Sequence, residues 1–317
     1  MAQNRIQFQP GLSMSEFFER YGTEALCEQA LAVTRWPEGF VCPRCQSRAA
    51  WTSRRAAHPY RLCSRCGYQC SLIAGTVLHN TKLELRVWFL AMHLLGQAKN
   101  GVSALELSRQ LGVSYPTAWL IKHKLMQAMH AAEQDRQLHS RVEMDDAFLG
   151  GQRSGGKPGR GSENKVPFVV AVQTVGLNHK PHRVCLAPIP HRLAAVAEFC
   201  NRHLVRPLTV FSDGLACFNA AEQVGVHETV VTGGGKASVQ DHRFNGVNTY
   251  LGNLKSALSS TYHAFGFGKY AHRYFAEFQF RFNRREDLRA MLGAMIAATV
   301  VAQPVPLRCI RQPETPC

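Results

Sequence analysis

The stretch that decides the fold reads Val142-Glu-Met-Asp145-Asp146-Ala-Phe-Leu149, an apolar run interrupted by a pair of acids. Such a run is typical of a buried strand, where a charged side chain is costly unless it is paired or binds a metal ion. A second run, Thr209-Val-Phe-Ser-Asp213, carries an acid at its end, where parallel α/β sheets collect functional groups. Together, the carboxylates of Asp145 and Asp213 are suited to holding a pair of magnesium ions against a phosphodiester.

Further apolar runs separated by turns lie between these two stretches. They predict strands over Val166–Val175 and His182–Ile189 and a helix over Leu193–Leu204. The resulting order of strand, strand, strand, helix and strand predicts an α/β domain. A glycine-rich basic loop, Gly150–Lys165, joins the first two strands, and helical spacing resumes from Val247 to about Ala298.

Two Cys-x-x-Cys pairs precede this domain. Cys42 and Cys45 are separated from Cys63 and Cys66 by 17 residues, a spacing at which two tight turns deliver four thiolates to one tetrahedral zinc ion. A redox dithiol fits less well, because no thioredoxin-like βαβ context surrounds the pairs. The predicted zinc ribbon is rich in arginine, so it either contacts DNA phosphates or serves only as a scaffold or protein contact.

A candidate helix-turn-helix follows the ribbon, within a helical region from Leu83 to about Glu133. Its first helix ends at Gly112, and its second is capped by Ser114 with Pro116 in the first turn. The side chains that the predicted packing leaves for a DNA groove are Tyr115, Thr117, Lys122 and Lys124. A plain helical hairpin is the alternative, since such patterns are degenerate.

An aromatic and basic helix is predicted around residues 272–285. Its rings have the spacing of core residues, and the cations Arg281, Arg284 and Arg285 are the candidates for DNA contact. Glu277 lies four residues from both Arg273 and Arg281, so it is a candidate internal partner for either.

The composition of the chain limits the kinds of partner and compartment that it fits. The chain has 317 residues, with 37 Lys and Arg against 22 Asp and Glu, and its formal charge of +15 favours DNA, RNA or an acidic membrane surface. We find no signal peptide, and the longest apolar stretch, Met291–Ala302, is too short to span a bilayer. Eleven cysteines, an odd number with two paired motifs, point to metal binding in a reducing compartment rather than to disulfides. We therefore expect a soluble cytoplasmic protein.

The motifs occur in a specific order along the chain. They are Trp36-Pro-Glu-Gly-Phe40, the two cysteine pairs, the helical pair, Glu143-Met-Asp145-Asp146, Ser212-Asp213-Gly214, Val247-Asn248-Thr249 with Lys255, and His272 to Arg285. From about Trp36 to Leu288, this order resembles the zinc-ribbon DDE transposases of bacterial insertion sequences, the ISXO-like group. The resemblance implies an RNase H-like core with its first acid on the first strand, its second after the fourth strand and its third on a following helix.

Carried over residue by residue, Asp145 matches the first acid and Asp213 the second. Many relatives have Glu seven residues before a helical Lys, whereas this chain has Asn248 before Lys255. An amide oxygen can bind magnesium but adds no negative charge, so the predicted Asp-Asp-Asn site holds its second metal less tightly. Lys255, two turns further on the same helix face, is a candidate contact to a DNA phosphate. Alternatively, Asn248 is a helix N-cap, and Glu143 replaces it, although Glu143 would crowd Asp145 on the same strand face.

The resemblance implies a transposase that binds the terminal inverted repeats of an insertion sequence, cleaves a strand and transfers it. We expect structural zinc, catalytic magnesium or manganese, double-stranded DNA as element end and target, and a homodimer or higher oligomer at the nucleoid. The alternatives are a non-catalytic DNA-binding regulator and an RNase H-like nuclease. The predicted domains are a helical lead-in (1–40), the zinc ribbon (41–75), a helical domain with the helix-turn-helix (76–138), the RNase H-like domain (139–300) and a tail (301–317).

Overall fold

In the computed structural model, the described residues are 4–54, 58–150, 165–230, 242–262 and 265–312. The predicted loop Gly150–Lys165 therefore lies outside the described residues except at its two ends. The chain divides into two units, one of residues 1–131 with 284–310 and one of residues 132–283 with 311–317. Among the described residues, no helix is both long and apolar enough to cross a membrane.

Helices and strands of both units are numbered in chain order. The helices are α1 (Met14–Tyr21), α2 (Glu24–Arg35), α3 (Leu85–Gln97), α4 (Ala104–Leu111), α5 (Tyr115–Glu133), α6 (Leu193–His203), α7 (Asn245–Ala257), α8 (Phe267–Asn283), α9 (Met291–Val301) and α10 (Leu307–Arg311). The strands are β1 (Ala50–Arg54), β2 (Pro59–Cys63), β3 (Gln69–Ser71), β4 (Leu138–Leu149), β5 (Val166–Val175), β6 (Lys180–Ala187), β7 (Leu204–Ser212) and β8 (Val226–Thr229).

Apolar residues at helical spacing from about Ser13 to Trp36 predict one helix in the lead-in, whereas the structure has two. The hydroxyl of Ser13 and the carboxylate of Glu16 form a reciprocal capping box at the start of α1. At its end, a Cβ atom on Gly22 would lie 2.2 Å from the carbonyl oxygen of Phe18. Thr23 then starts α2 by accepting the backbone N–H of Leu26 with its hydroxyl. Glycine and a capping threonine thus break a helical pattern that is continuous in its apolar spacing.

The glycine turn of the candidate helix-turn-helix is present. Gly112 ends α4 in the left-handed region, at φ +66°, and donates its backbone N–H to the carbonyl of Ser108. α5 begins three residues later, at Tyr115. Two helices joined by a tight turn are therefore observed where they were predicted, and their use in DNA recognition stays a prediction.

Helix α9 belongs with the N-terminal unit. Gly96 of α3 is a close-packing point, since a Cβ there would lie 2.9 Å from the Cγ atom of Met291 and 3.2 Å from the sulfur of Met295. The predicted RNase H-like domain extended to residue 300, whereas the second unit ends at Asn283 before residues 311–317. The difference arises because the apolar side chains of α9 pack on α3, which sequence spacing does not reveal.

The second unit is built on a mixed five-stranded sheet of order β6-β5-β4-β7-β8. Central β4 pairs antiparallel with β5 and parallel with β7. One face packs its apolar side chains on α6 and a 3₁₀ helix (Ala216–Gln223), and the opposite face packs on α7 and α8. This confirms the predicted α/β class, and it puts the first acidic strand at the centre of the sheet.

Candidate active site

The two predicted acids meet because of the register between β4 and β7. The last parallel pair is Met144 with Ser212, so Asp145 and Asp213 are the next residues on adjacent strands. Together with Asp146, each offers one carboxylate oxygen, and the three oxygens lie within 4.8 Å of one another. The sheet thus gathers three carboxylates at the point where β7 ends.

The electrostatics of this cluster favour a cation. Burial raises the pKa of Asp145 to about 7, and the negative charges of Asp213 and Asp146 add to the rise. The N–H of Asp146 and the charge of Lys255 lower the pKa but do not offset it. Oxygen-rich carboxylate clusters are the donor sets of Mg²⁺ and Mn²⁺, so these residues fit the divalent ion that the resemblance implies.

Asp146 is a third member of the cluster, which the sequence analysis did not assign as a metal ligand. Its side chain is only 5% exposed, and its Oδ2 atom lies 3.2 Å from Nδ1 of His191. The other ring nitrogen of His191 is 3.1 Å from the carbonyl oxygen of Phe168. Both contacts fix the orientation of the Asp146 carboxylate. The acid pair inside a buried strand was the available signal for it.

Glu143 joins the strand of Asp145 to helix α7. It is fully buried, and its Oε2 atom accepts the backbone N–H of Val247 at 2.9 Å. Its Oε1 atom accepts a hydrogen bond from the guanidinium of Arg141. Burial raises the pKa of Glu143, while the charge of Arg141 and the N–H groups of Val247 and Gly246 lower it. Both oxygens of the Glu143 carboxylate thus accept hydrogen bonds within the protein. Glu143 is therefore not available to replace Asn248 as the third metal ligand.

Arg141 is itself held on several sides. Its guanidinium donates to the hydroxyl of Thr174 at 2.7 Å and to the carbonyl of Arg243 at 2.8 Å. It also lies 4.3 Å from the ring centroid of Phe211. The ion pair with Glu143 is therefore part of a network that spans β4, β5, β7 and the turn before α7.

Asn248 lies inside helix α7 rather than at its start. The helix begins at Asn245 after Phe244, so the N-cap alternative for Asn248 is wrong. Asn248 and Lys255 are both exposed and lie two turns apart on one helix face. The charge of Lys255 lowers the pKa of Asp145, so Lys255 lies within electrostatic range of that carboxylate. The role of Asn248 as a metal ligand stays a prediction.

The four predicted zinc ligands are brought together in the N-terminal unit. Cys42 and Cys66 have their sulfurs 3.6 Å apart, and Cys45 and Cys63 have theirs 3.5 Å apart. A tetrahedral zinc ion with zinc–sulfur bonds of about 2.3 Å separates its sulfurs by about 3.8 Å, so the cluster has the size the ion needs. A hydrogen bond from the backbone N–H of Cys66 lowers the pKa of Cys63 to about 6, which favours the metal-binding thiolate.

Two of the predicted DNA contacts are corrected. Lys122 is 1% exposed, and its ammonium donates to the carbonyl of Val102 at 2.5 Å. The reason is periodicity, because Lys122 shares the buried stripe of α5 with Ala118 and Leu125. The side chain of Arg281 is only 10% exposed, and it pairs with fully buried Glu277 at 3.2 Å. Arg281 was one of the two internal partners predicted for Glu277.

The remaining predicted DNA contacts differ in accessibility. Tyr115 is 51% exposed, whereas Thr117 is half-buried with its hydroxyl 2.9 Å from that of Ser114. Lys124 is also half-buried, with its ammonium 5.9 Å from the ring centroid of Trp88, and burial lowers its pKa. The other two, Arg284 and Arg285, are half-buried.

Comparison with known proteins gives two family matches. Residues 137–283 match the ISXO2-like transposase domain, and residues 22–69 match the transposase zinc-ribbon domain. The chain is also similar to a Halobacterium salinarum protein described as an uncharacterized protein in transposable element ISH50. The two are 27% identical over 260 residues, which cover 75% of this chain and 84% of that protein. These matches confirm the resemblance that the motifs carried.

Proposed function

We propose that this chain binds the terminal inverted repeats of an insertion sequence and catalyses strand cleavage and strand transfer. The proposal starts from the two family matches, because residues 137–283 match the ISXO2-like transposase domain and residues 22–69 match the transposase zinc-ribbon domain. The observation that carries the proposal is the cluster of Asp145, Asp146 and Asp213, in which Asp145 and Asp146 are half-buried and Asp213 is exposed. Its three carboxylate oxygens within 4.8 Å of one another have the chemistry of a site for divalent ions at a phosphodiester.

In this proposal Asp145, Asp213 and Asn248 hold magnesium or manganese. The bound ions would activate the attacking oxygen and stabilise the leaving oxygen. Asp146 is kept in place by His191 and keeps the local charge negative. Lys255, whose charge acts on Asp145, pairs with a non-bridging phosphate oxygen and orients the scissile strand.

Two displacements at phosphorus follow one another at this site. In the first, water attacks the phosphodiester at the element end, the P–O3′ bond breaks, and a 3′-hydroxyl is released. In the second, that hydroxyl attacks a target phosphodiester, a new P–O bond forms, and a target 3′-hydroxyl leaves. Both are in-line attacks with the same charge distribution, so one set of carboxylates serves both.

Recognition of the element ends is assigned to the N-terminal unit. The exposed Tyr115 and the neighbouring Thr117 lie at the start of α5, after the glycine turn. We assign phosphate contacts to Lys124, Arg284 and Arg285, and structural zinc to the ribbon. A formal charge of +15 supports a double-stranded DNA partner. We further propose that the chain works as a homodimer or higher oligomer at the nucleoid, where that substrate is found.

A strand-transfer assay tests the proposal. Full-length protein is given target DNA, Mg²⁺ and either an intact or a pre-cut element end, and we expect cleavage of the intact end and a joined product from both. Asp145→Asn should abolish joining, whereas Asp135→Asn, the same change at an exposed acid of the same unit, should not. Cleavage without joining would favour the nuclease, and end binding without chemistry would favour the regulator. Either outcome contradicts the proposed strand transfer.

A further inference from the structure

A second cluster of metal-ligand side chains lies in the N-terminal unit, and it does not include the four cysteines. Glu24 and Glu28 are four residues apart on α2, so they share one face of that helix. His58 immediately precedes β2 and lies with its Nδ1 atom 3.7 Å from Oε1 of Glu24. One ligand atom from each of the three lies within 4.8 Å of the other two.

The polar atoms of this cluster are buried without partners. His58 is 5% exposed, and within the described part of the chain neither of its ring nitrogens has a hydrogen-bond partner. The Oε1 atom of Glu28 is likewise buried and unpartnered there. Buried polar groups are normally satisfied, so three unsatisfied atoms in one small cluster indicate a ligand.

Both carboxylates also accept hydrogen bonds from residues outside the cluster. The Oε2 atom of Glu28 accepts a hydrogen bond from the guanidinium of Arg54. The carboxylate of Glu24 accepts the backbone N–H of Leu85 at 2.8 Å and that of Arg86 at 3.0 Å, at the start of α3. Contacts of this kind orient metal ligands, and within the described residues they leave Oε1 of Glu28 and both ring nitrogens of His58 without a hydrogen-bond partner.

We propose that Glu24, Glu28 and His58 bind a divalent transition-metal ion, Zn²⁺ above all. One neutral imidazole and two carboxylates are a donor set that suits this ion, and three protein ligands leave a fourth position for water. The bound ion ties α2 to the start of β2 and, through Glu24, to the first turn of α3. It therefore acts as a second structural clamp on the ribbon.

Metal content of the full-length protein tests this site. After equilibration with excess Zn²⁺ and removal of free metal, elemental analysis should find two zinc ions per chain in the wild type. His58→Phe and Glu28→Gln should each hold one, which remains on the cysteines and so reports a folded ribbon. Glu38→Gln, the same change at an exposed glutamate of the same unit, should keep two.

Cobalt gives an independent measurement, because thiolate-bound Co²⁺ has a sulfur-to-metal absorption band that oxygen and nitrogen ligands do not produce. In the wild type, a second equivalent should bind after the thiolate band has saturated, and His58→Phe should not bind it. One metal ion per chain in the wild type, or two in both variants, would overturn the proposal. The first result would leave His58 as an ion-pair partner of Glu24.

Discussion

The backbone N–H of Val247 donates to the carboxylate of Glu143 at 2.9 Å. Glu143 and Asp145 share one face of β4, and Asn248 is the residue that follows Val247 in α7. One hydrogen bond between residues far apart in sequence therefore sets the start of the helix against the strand that carries the first acid. Because both partners are buried, the contact is not weakened by solvent.

This contact makes Glu143 a positioning residue. Glu143→Gln replaces a carboxylate that accepts from both Arg141 and Val247 with an amide that has one accepting oxygen, so one buried donor loses its partner at a cost of about 1–3 kcal/mol. We expect a lower free energy of unfolding in urea. We also expect strand transfer to fall by more than the unfolded fraction explains, with end binding retained. Glu228→Gln, at an exposed glutamate of β8, should change neither quantity, and normal strand transfer by Glu143→Gln would contradict the positioning role.

Gly246 is needed for the same contact. A Cβ atom there would lie 2.5 Å from Cγ2 of Thr174 and 2.9 Å from Oε2 of Glu143. Gly246→Ala should therefore displace the start of α7 and reduce strand transfer. Gly252→Ala, on the exposed side of the same helix where a Cβ meets nothing within 4 Å, should be tolerated and measured in parallel. Equal activity of the two variants would show that the approach of α7 to β4 can relax.

The raised pKa of Asp145 predicts how stability depends on pH. In the unfolded chain this carboxyl ionises near pH 4, but in the metal-free fold its pKa is about 7. Between these values the folded state binds more protons, so the contribution of Asp145 to stability falls as pH rises from about 4 to about 7. Asp145→Asn should therefore stabilise the magnesium-free protein at pH 8 by up to about 4 kcal/mol and have little effect at pH 4.

Urea unfolding at both pH values measures this, in magnesium-free buffer without chelator so that zinc is retained. Adding Mg²⁺ should stabilise the wild type at pH 8 and leave Asp145→Asn nearly unchanged. The exposed-site variant Asp135→Asn should follow the wild type throughout. A wild type whose stability rises between pH 4 and 7 more steeply than that of Asp145→Asn would contradict the assigned shift.

The ribbon is predicted to depend on its zinc ion. Cys63→Ser removes the thiolate with the lowered pKa, and so small a module draws much of its folding free energy from metal binding. We expect loss of the cysteine-bound zinc by elemental analysis and a lower melting temperature. Cys309→Ser changes an exposed thiol outside the ribbon and should keep the zinc. Wild-type protein purified without zinc would refute the assignment.

Variants of Lys122 and Tyr115, both on α5, should distinguish an effect on stability from an effect on DNA binding. Lys122→Ala removes the donor to the buried carbonyl of Val102, which should cost about 1–3 kcal/mol of stability. Its affinity for end DNA, corrected for the folded fraction, should stay unchanged. Tyr115→Ala should do the opposite, weakening end binding with little loss of stability, because the ring is exposed. Gel-shift titrations over a salt series measure both, and wild-type affinity should fall steeply with salt.

Local sequence patterns predicted the strands and helices of the second unit. The acid cluster could also be predicted, because its residues come together through the pairing of β4 with β7. The apolar runs predicted β5 to the residue and the end of β4, which begins four residues earlier than predicted, and parallel pairing brought Asp145 beside Asp213. Single-residue positions on helices were harder. The predicted packing left Lys122 free for a DNA groove, although its spacing from Ala118 and Leu125 puts it on the buried stripe.

Contacts between distant segments had no local signal. Nothing near Glu143 in the sequence shows that it accepts an N–H from Val247, and nothing near Met291 shows that it packs on Gly96. His58 and Glu28 are equally unremarkable in sequence, since a single histidine between helix and strand predicts no ligand. Such relationships depend on tertiary packing, which propensity and periodicity do not encode.

Asn248 gives the sharpest test of the proposed active site, because its position in α7 separates the two roles considered for it. An N-cap asparagine replaced by alanine loses about 1 kcal/mol of stability. Inside a helix the same change is neutral or slightly stabilising, since alanine has the higher helix propensity. We therefore expect Asn248→Ala to abolish strand transfer, keep end binding and leave the free energy of unfolding unchanged or slightly raised.

The charge of the ligand can then be varied at this position. Asn248→Asp should restore a metal ligand with a negative charge and support strand transfer at lower Mg²⁺ than the wild type needs. Asn253→Ala, at an exposed asparagine on the same helix, serves as the matched control and should join DNA normally. If Asn248→Ala joins DNA at the wild-type rate while Asp145→Asn and Asp213→Asn are inactive, Asn248 is not a ligand. The acid cluster would then have to bind its metal through Asp146, whose carboxylate already lies within reach of the other two.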